Sequence, residues 1–321
     1  MKIATVTLNP AIDLTVRADN FRPNTVNYAQ AMQFDAGGKG VNVASFLADA
    51  DFSTAVTGFL GQENADIFER FFARKGIVDQ FVRIPGSTRI GVKVVDEANQ
   101  QTTDINMPGL SPSEEAMQTL QQTIEKLTST YDWFALSGRL PPGMPTTTYA
   151  TLITLLRDHG KQVVLDTSHE ALHEGIQAGP TIVKPNVDEL RQITGQALAD
   201  EASIEQAARQ LLGYGIQLVV ISMGERGAMF VDSANALIAT PPRVTVKSTV
   251  GAGDAMVAGL IASQIRGLSL PDSARLATAF SLGAITSPGH NLPAQEVVQA
   301  YAQQVFIRSS IGVPGRAKGC L

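Results

Sequence analysis

Several features that define whole classes of proteins are missing from this sequence. Cys320 is the only cysteine, so no disulfide can form within the chain, which fits a reducing compartment. No run approaches the roughly 18–20 consecutive apolar residues of a membrane span, and the short run after Met1, which Pro10 ends, is not a signal peptide. The net charge is −5 without a basic block, which argues against nucleic-acid binding. We therefore expect a cytoplasmic protein that binds neither a membrane nor nucleic acid.

Short apolar runs alternate with helical patterns in the C-terminal two thirds of the 321 residues. Strands are predicted at 133–136, 163–165, 181–183 and 218–221, and helices near 112–130, 145–159, 187–194, 203–213, 254–266, 271–286 and 293–306. Unbroken apolar runs are typical of strands buried on both faces. The sequence predicts an α/β fold with a mostly parallel sheet that is flanked by helices on both faces.

Each of these predicted strands ends in a polar or glycine-containing turn. The turns are Ser137–Gly138, Asp166–Ser168, Lys184–Asn186 and Ser222–Gly224. Open parallel sheets bind ligands beside the carboxyl ends of their strands. We therefore expect the four turns to lie along one edge of the sheet and to face one crevice.

The first third of the chain has a different pattern. Apolar and polar residues alternate at 12–16, 26–34, 90–95 and 102–107, whereas 54–60 is typical of a buried strand and 41–48 and 63–73 of helices. Alternation indicates strands with one face in solvent or against a ligand. We expect a core of residues 1–11, 36–88 and 108–306, a small β-sheet lid of residues 12–35 and 89–107, and a loosely packed tail at 307–321.

The strongest chemical signal is the segment Ser248–Asp254, which precedes a predicted helix. Small residues at 251–253 let the backbone approach a ligand and direct successive NH groups into one cavity, to which the helix adds the positive end of its dipole. Such a cavity stabilises the negative charge of a transferring phosphoryl group. Asp254 can then accept the proton of an attacking hydroxyl, or it can simply cap the helix.

Two further segments have both a structural and a functional interpretation. Asp35–Asn42 is not a Walker A loop, because Gln33 and Gly40 stand where that motif needs glycine and serine or threonine. It is either a tight turn before a helix or, through Lys39 and Asn42, a donor set for a sugar or a phosphate. In Lys184–Glu189, the pair of Asn186 and Glu189 is typical of a capping box, although its place at a strand end also suits a metal or phosphate site.

One short match indicates a different class of enzyme. His169, Glu170 and His173 fit the H-E-x-x-H pattern, in which two histidines bind zinc beside a general-base glutamate. The third ligand would have to come from His159, His290 or a distant acid. A zinc hydrolase is therefore the remote alternative.

Taken in order, five segments resemble the ribokinase-like (PfkB) family of sugar kinases, over nearly the whole chain to about residue 306. They are Thr7–Asp13, Gly37–Asn42, Ser137–Gly143, Lys184–Glu189 and Ser248–Asp254. The first two together resemble the branch that acts on hexose phosphates, fructose 1-phosphate above all. The resemblance implies ATP and Mg²⁺ as cofactors and a homodimer formed through the β-lid.

The resemblance also implies a role for each matched residue. Asp254 is the expected catalytic base, with Gly251, Ala252 and Gly253 as the anion hole. The expected sugar-phosphate ligands are Asp13, Gly38, Lys39, Asn42, Arg89, Ser137 and Arg139, with Arg89 on the existing phosphate. The expected nucleotide ligands are Lys184, Asn186, Glu189, Ser222, Gly224, Gly227, Ser248 and Ser281, of which Glu189 holds Mg²⁺ through water.

Two positions depart from the family pattern, and the substrate stays open. Arg139 occupies a position that is often serine, and it is either a second phosphate cation or a surface substitution. The family usually shows D-S-S-x-E-A-L near the two histidines, which explains Glu170–Leu172 without zinc. We expect phosphorylation of fructose 1-phosphate at C6, with phosphorylation of tagatose 6-phosphate or fructose 6-phosphate at C1 as the alternatives.

Overall fold

The computed structural model describes residues 1–247, 250–287, 289 and 291–310. The strands are β1 (Ile3–Thr7), β2 (Ala11–Arg17), β3 (Ala31–Gly37), β4 (Thr54–Gly61), β5 (Val78–Asp79), β6 (Val82–Ile84), β7 (Ile90–Asp96), β8 (Gln101–Asn106), β9 (Trp133–Ser137), β10 (Gln162–Asp166), β11 (Ile182–Val183), β12 (Leu218–Ser222), β13 (Ala228–Val231), β14 (Ala236–Thr240) and β15 (Phe306–Ser309). The α-helices are α1 (Lys39–Asp49), α2 (Asp66–Lys75), α3 (Glu114–Thr128), α4 (Thr148–Asp158), α5 (Glu170–Gln177), α6 (Val187–Thr194), α7 (Glu201–Leu212), α8 (Ala252–Ile265), α9 (Leu270–Thr286) and α10 (Gln295–Gln304).

A large sheet forms the centre of the molecule. Strands β12, β11, β10, β9, β1 and β4 lie side by side and run parallel, with β5 and β6 beside β4. Along β10, Val163 and Leu165 pack into one helical layer and Val164 packs into the other. Apolar residues on both faces are what a parallel sheet between two helical layers requires. The predicted α/β fold with helices on both faces is confirmed.

One of the two helical layers brings two helix starts close together. Helices α3 to α7 pack on one face of the sheet, and α1, α8, α9 and α10 pack on the other. Helix α1 lies against α8, with both first turns near the carboxyl ends of the strands. Within the described ranges, no helix has the length and apolar character needed to cross a membrane.

A separate small sheet has the strand order β3-β2-β7-β8. Its register aligns Asp13 with Gly91 and Gly91 with Asn106, whereas the next row aligns Leu14 with Phe34 and with Val92. Paired residues of neighbouring strands point to the same face of a sheet, and successive residues point to opposite faces. One face is therefore polar and the other apolar. The predicted small sheet is confirmed, and its role as a lid stays a prediction.

Some of the predicted elements are wrong in detail. Strand β3 begins at Ala31 rather than at residue 26, because Asn27 bonds back to the backbone of Arg22 and closes a turn there. The antiparallel strands β13 to β15 at one edge of the large sheet, and helix α5, were not predicted. Strand β15 pairs with β14 and extends the sheet three residues into the segment assigned to the tail, whose residues 311–321 lie outside the described residues.

Candidate active site

Two helix starts meet at the carboxyl end of the large sheet. In the first turn of α1, the Nδ2 atom of Asn42 donates a hydrogen bond of 2.8 Å to Oδ2 of Asp254, which lies in the first turn of α8. Both side chains are buried. Since helix starts present free NH groups and a partial positive charge, this crevice attracts anions.

The first turn of α8 is open to a ligand because of its small residues. Gly251 precedes the helix with φ of 84°, a left-handed conformation that favours glycine. A Cβ atom on Gly253 would lie 3.4 Å from Nζ of Lys184, so the ammonium group lies directly against the backbone there. On the other side, Oγ of Ser281 donates to the carbonyl of Ala252 (2.8 Å). The structure thus brings the predicted anion hole together with one cation.

Asp254 is not a helix cap. The residue at the cap position is Gly251, which has no side chain, and Asp254 is the third residue of α8. Burial raises the pKa of the Asp254 carboxyl, and the nearby negative charge of Asp166 raises it further, against the opposing effects of Lys39, Asn42 and Lys184. A carboxylate with a raised pKa is a stronger base than an exposed one. The capping alternative is therefore wrong, and the geometry suits a general base.

A buried carboxylate that the sequence analysis did not select lies at the centre of the site. Asp166 ends β10, and its Oδ1 is 3.3 Å from the Nζ atoms of both Lys39 and Lys184. Burial alone would raise the pKa of Asp166, but the two ammonium groups outweigh it and hold the pKa below its ordinary value. Its place in a polar turn at a strand end was the signal that could have identified it.

Lys39 stands at a helix start, where a positive charge is unfavourable. The pKa of its ammonium group is raised chiefly by Asp166 and further by Asp254 and Glu189, against the lowering effect of burial. Helix α1 begins at Lys39 rather than at residue 41, so Lys39 is not part of a tight turn before the helix, which was one of the two interpretations that the sequence left open. The acidic groups around it therefore fix a cation at the position where the two helix starts meet.

The glycines before α1 make room for Asp13. A Cβ atom on Gly37 would lie only 2.2 Å from Oδ2 of Asp13, and one on Gly38, which has φ of 110°, would lie 2.9 Å from Cα of Pro10. Neither contact is possible for a larger residue without displacing its neighbour. The predicted sugar ligands Asp13 and Gly38 therefore lie together, at the turn between the small sheet and α1.

Arg89 is held at a second cationic position. Its Nε donates to Oδ1 of Asn9 (3.1 Å), whose Nδ2 in turn donates to the carbonyl of Leu140 (3.4 Å). Burial lowers the pKa of the Arg89 guanidinium, and the positive charge of Arg139 acts in the same direction, against the effect of Asp13. Two guanidinium groups in one region suit a phosphate dianion. This proximity favours the phosphate interpretation of Arg139 over a surface substitution.

Two buried polar atoms beside the crevice have no protein partner. Oδ1 of Asn42 and Oγ of Ser137 make no hydrogen bond with any residue that the structure describes. Buried polar groups are almost always hydrogen-bonded, so each such exception calls for an explanation. A polar ligand in the crevice would supply these bonds.

The capping box that the sequence predicts at α6 is present. Oδ1 of Asn186 accepts a bond from the amide of Glu189 (2.8 Å), and Oε2 of Glu189 accepts one from the amide of Asn186 (2.9 Å). Because Glu189 also acts electrostatically on Lys39, it lies near the crevice as well. The structural and the functional interpretation of this segment are compatible.

The remaining predicted nucleotide ligands are dispersed along the same edge. Ser222 ends β12, and Gly224 follows with φ of 63° and no atom within 4 Å of where its Cβ would stand. A Cβ on Gly227 would lie 1.9 Å from the carbonyl oxygen of Ala239, so packing against β14 already requires glycine there. Ser248 lies outside the described residues.

The zinc alternative is wrong. His169 precedes α5 with φ of 60° and ψ of −146°, so only His173 lies on the helix that should carry both ligands. No group of three histidine, cysteine, aspartate or glutamate residues suited to a metal exists among the described residues. His290 lies outside them.

Comparisons with known proteins agree with this geometry. A family model described as pfkB family carbohydrate kinase matches residues 3–297. The 1-phosphofructokinases of Rhodobacter capsulatus and Xanthomonas campestris are 48% and 43% identical to this chain over 310 and 312 residues, which cover 96% of it and 98% of each relative. The tetrameric inhibited form of phosphofructokinase-2 from Escherichia coli superimposes with a TM-score of 0.87 at 28% identity, covering 94% of this chain and 98% of that one.

Proposed function

Because the chain belongs to the pfkB family of carbohydrate kinases, we propose that it transfers the γ-phosphate of ATP to the C6 hydroxyl of fructose 1-phosphate. The products are fructose 1,6-bisphosphate and ADP. The two 1-phosphofructokinases, which match almost end to end, support this choice of sugar. The observation that carries the chemistry is the buried carboxylate of Asp254 in the first turn of α8, beside Lys39 and Lys184.

The sugar phosphate binds between the small sheet and the start of α1. Arg89 and Arg139 hold the existing phosphate, and the Arg89–Asn9 hydrogen bond fixes one of the two guanidinium groups. Asp13 and the free Oδ1 atom of Asn42 accept hydrogen bonds from sugar hydroxyls. Gly38, Lys39 and Ser137 complete this side, and the C6 hydroxyl lies next to Asp254.

Phosphoryl transfer takes place at the first turn of α8. Asp254 accepts the proton of the C6 hydroxyl, whose oxygen forms a bond to the γ-phosphorus as the bond between that phosphorus and the bridging oxygen of ADP breaks. The amides of residues 251–253 and the ammonium groups of Lys39 and Lys184 stabilise the negative charge on the transferring group. Asp166 keeps both lysines in position through its two ion pairs.

The triphosphate extends from the anion hole toward the turns after β11 and β12. This path is lined by Lys184, Asn186, Ser222 and Gly224. The other residues assigned to the nucleotide are Gly227, Ser248 and Ser281. The carboxylate of Glu189, which is close enough to act electrostatically on Lys39, would hold Mg²⁺ through water. When bound, Mg²⁺ neutralises part of the charge of the triphosphate.

An ADP-release assay with three sugars tests the proposed reaction. Purified protein is supplied with ATP, Mg²⁺ and fructose 1-phosphate, tagatose 6-phosphate or fructose 6-phosphate in turn. We expect the highest kcat/KM with fructose 1-phosphate. A higher value with one of the other sugars would reassign the substrate, and absence of turnover with all three would refute the proposal.

Removing either arginine of the phosphate site should weaken binding of the sugar phosphate. We expect Arg89→Ala and Arg139→Ala each to raise the KM for fructose 1-phosphate about 10- to 100-fold, the loss of a charge-assisted hydrogen bond. Because the phosphate is remote from the reacting hydroxyl, kcat should change little. Arg266→Ala, at the far end of α8, is the control. An unchanged KM for one variant would remove that arginine from the site.

The small sheet is also the proposed dimer surface. Its apolar face exposes 70% of Met32, 46% of Phe34 and 51% of Ile105. A surface patch of this kind is uncommon in a monomer and is typical of an interface. A second copy of the chain, facing this one through the same surface, would cover it, and the polar face would then lie over the sugar.

A charge placed on the apolar face should separate the dimer. We expect Met32→Glu to halve the mass measured by sedimentation or light scattering, because a carboxylate cannot be buried there without a partner. Gln33→Ala, one residue further along β3 and on the opposite face, should leave the mass unchanged. A wild-type protein that is monomeric at all concentrations would contradict the proposed interface.

A further inference from the structure

Three residues form one row across the polar face of the small sheet. Asp13 on β2 is aligned with Gly91 on β7, and Gly91 is aligned with Asn106 on β8. A Cβ atom on Gly91 would lie 3.3 Å from Oδ1 of Asp13 and 3.5 Å from Oδ1 of Asn106. The two side chains therefore lean over the glycine from opposite sides and leave a hollow above its backbone.

The backbone conformation does not explain the glycine at position 91. Gly91 has no positive φ, so a residue with a side chain could adopt the same backbone. Glycine inside a strand weakens the strand and often marks a place where a ligand approaches closely. A Cβ atom here would make a tight contact with Oδ1 of Asp13 and an ordinary one with Oδ1 of Asn106, so glycine leaves both side chains room above the strand.

The chemistry of the hollow matches a sugar. A carboxylate only accepts hydrogen bonds, whereas the amide of Asn106 accepts through its oxygen and donates through its nitrogen. The side chain of Asn106 is exposed and so is accessible to a ligand, whereas Asp104, on the same face of β8, is bound to Nζ of Lys93 (2.8 Å). Hydroxyl groups, which donate and accept, suit such a pair of ligands.

We propose that Asn106 is a specificity-determining residue that binds, together with Asp13, the hydroxyl groups in the middle of the sugar. This inference rests on the proposed function. Arg89 immediately precedes β7, two residues before Gly91, and its carbonyl accepts a bond from the amide of Ile12 (2.8 Å), so a phosphate bound there stands beside the middle of the row. With the reacting hydroxyl at Asp254, the hydroxyls between the two ends of the sugar face Asp13 and Asn106.

The test combines a side-chain deletion with a hydroxyl deletion. Asn106→Ala is compared with the wild type on fructose 1-phosphate and on its 3-deoxy and 4-deoxy analogues. We expect the variant to have a KM for fructose 1-phosphate that is raised about 10-fold, with kcat and the KM for ATP unchanged. One deoxy analogue should be poor for the wild type and no worse for the variant, because the lost bond is the same in both cases.

Thr102→Ala is the matched control, since Thr102 lies on the same strand and face, about 13 Å away at the usual rise per residue. The inference would be overturned, and the proposed function left intact, if Asn106→Ala kept wild-type KM values. The same conclusion would follow if the variant lost kcat/KM by the same factor on fructose 1-phosphate and on both deoxy analogues. A wild type that phosphorylates none of the three ketohexose phosphates would overturn the proposed function instead. If it prefers another of the three, the comparison is made with that sugar.

Discussion

Replacing Asp254 with asparagine is expected to lower kcat by about 10²–10⁴, the usual contribution of a general base. The asparagine amide keeps the shape of the side chain and can still meet Asn42, but it cannot accept the proton of the sugar hydroxyl. Neither substrate binds mainly through this side chain, so both KM values should stay within a few-fold. The variant and the wild type are compared by single-turnover kinetics with fructose 1-phosphate, or with another of the three sugars if the wild type prefers it.

The pH dependence of kcat distinguishes the loss of a general base from a loss of activity through misfolding or altered packing. Asp254 must be deprotonated to act, so activity falls as the pH falls through its pKa. Because burial and Asp166 raise the pKa of Asp254, we expect the acid limb of kcat to lie above the ordinary value of about 4 for an aspartate. The residual activity of Asp254→Asn should lack that limb. Asp158→Asn, at the exposed end of α4, should keep the wild-type profile, whereas near-normal turnover of Asp254→Asn would contradict the mechanism.

The sequence predicted most of the fold because local patterns decide it. The runs at 133–136 and 163–165 are apolar on both faces, which is typical of a covered parallel strand, and alternation identified three of the four strands of the small sheet well. The strands β13 to β15 were missed because an antiparallel edge after a glycine turn carries no distinctive pattern. At β3, a side-chain bond from Asn27 overrode the alternation.

The site could be predicted only where a motif carries it. The glycines around Asp254 and Lys39 are visible in the sequence because backbone close to a ligand requires them. Asp166 is marked only by its place in a polar turn at a strand end, and Asn106 has no local mark. The contact of Asp166 with Lys39 joins residues 127 positions apart, and Asn106 reaches Asp13 only across a third strand. Such contacts are fixed by tertiary packing, which one sequence does not reveal.

Replacing Asp166 with asparagine should be the most damaging change to stability in the site. The side chain of Lys184 is only 7% exposed and that of Asp166 only 2%, so the variant leaves a buried ammonium group without its charge partner. Breaking a buried pair in this way costs about 3–5 kcal/mol. We expect the free energy of unfolding of the ligand-free protein, measured by urea denaturation, to fall by this amount.

The nucleotide should partly repair the defect, because its phosphates bring negative charge to the same two lysines. A non-hydrolysable ATP analogue with Mg²⁺ should therefore raise the stability of Asp166→Asn by more than it raises that of the wild type. Asp49→Asn breaks the ion pair with Lys75 near the C-terminal end of α1, far from the crevice, and its loss of stability should not depend on the nucleotide. Equal stabilisation of Asp166→Asn and the wild type would mean that Lys39 and Lys184 do not face the triphosphate, and it would remove the two lysines from the proposed mechanism.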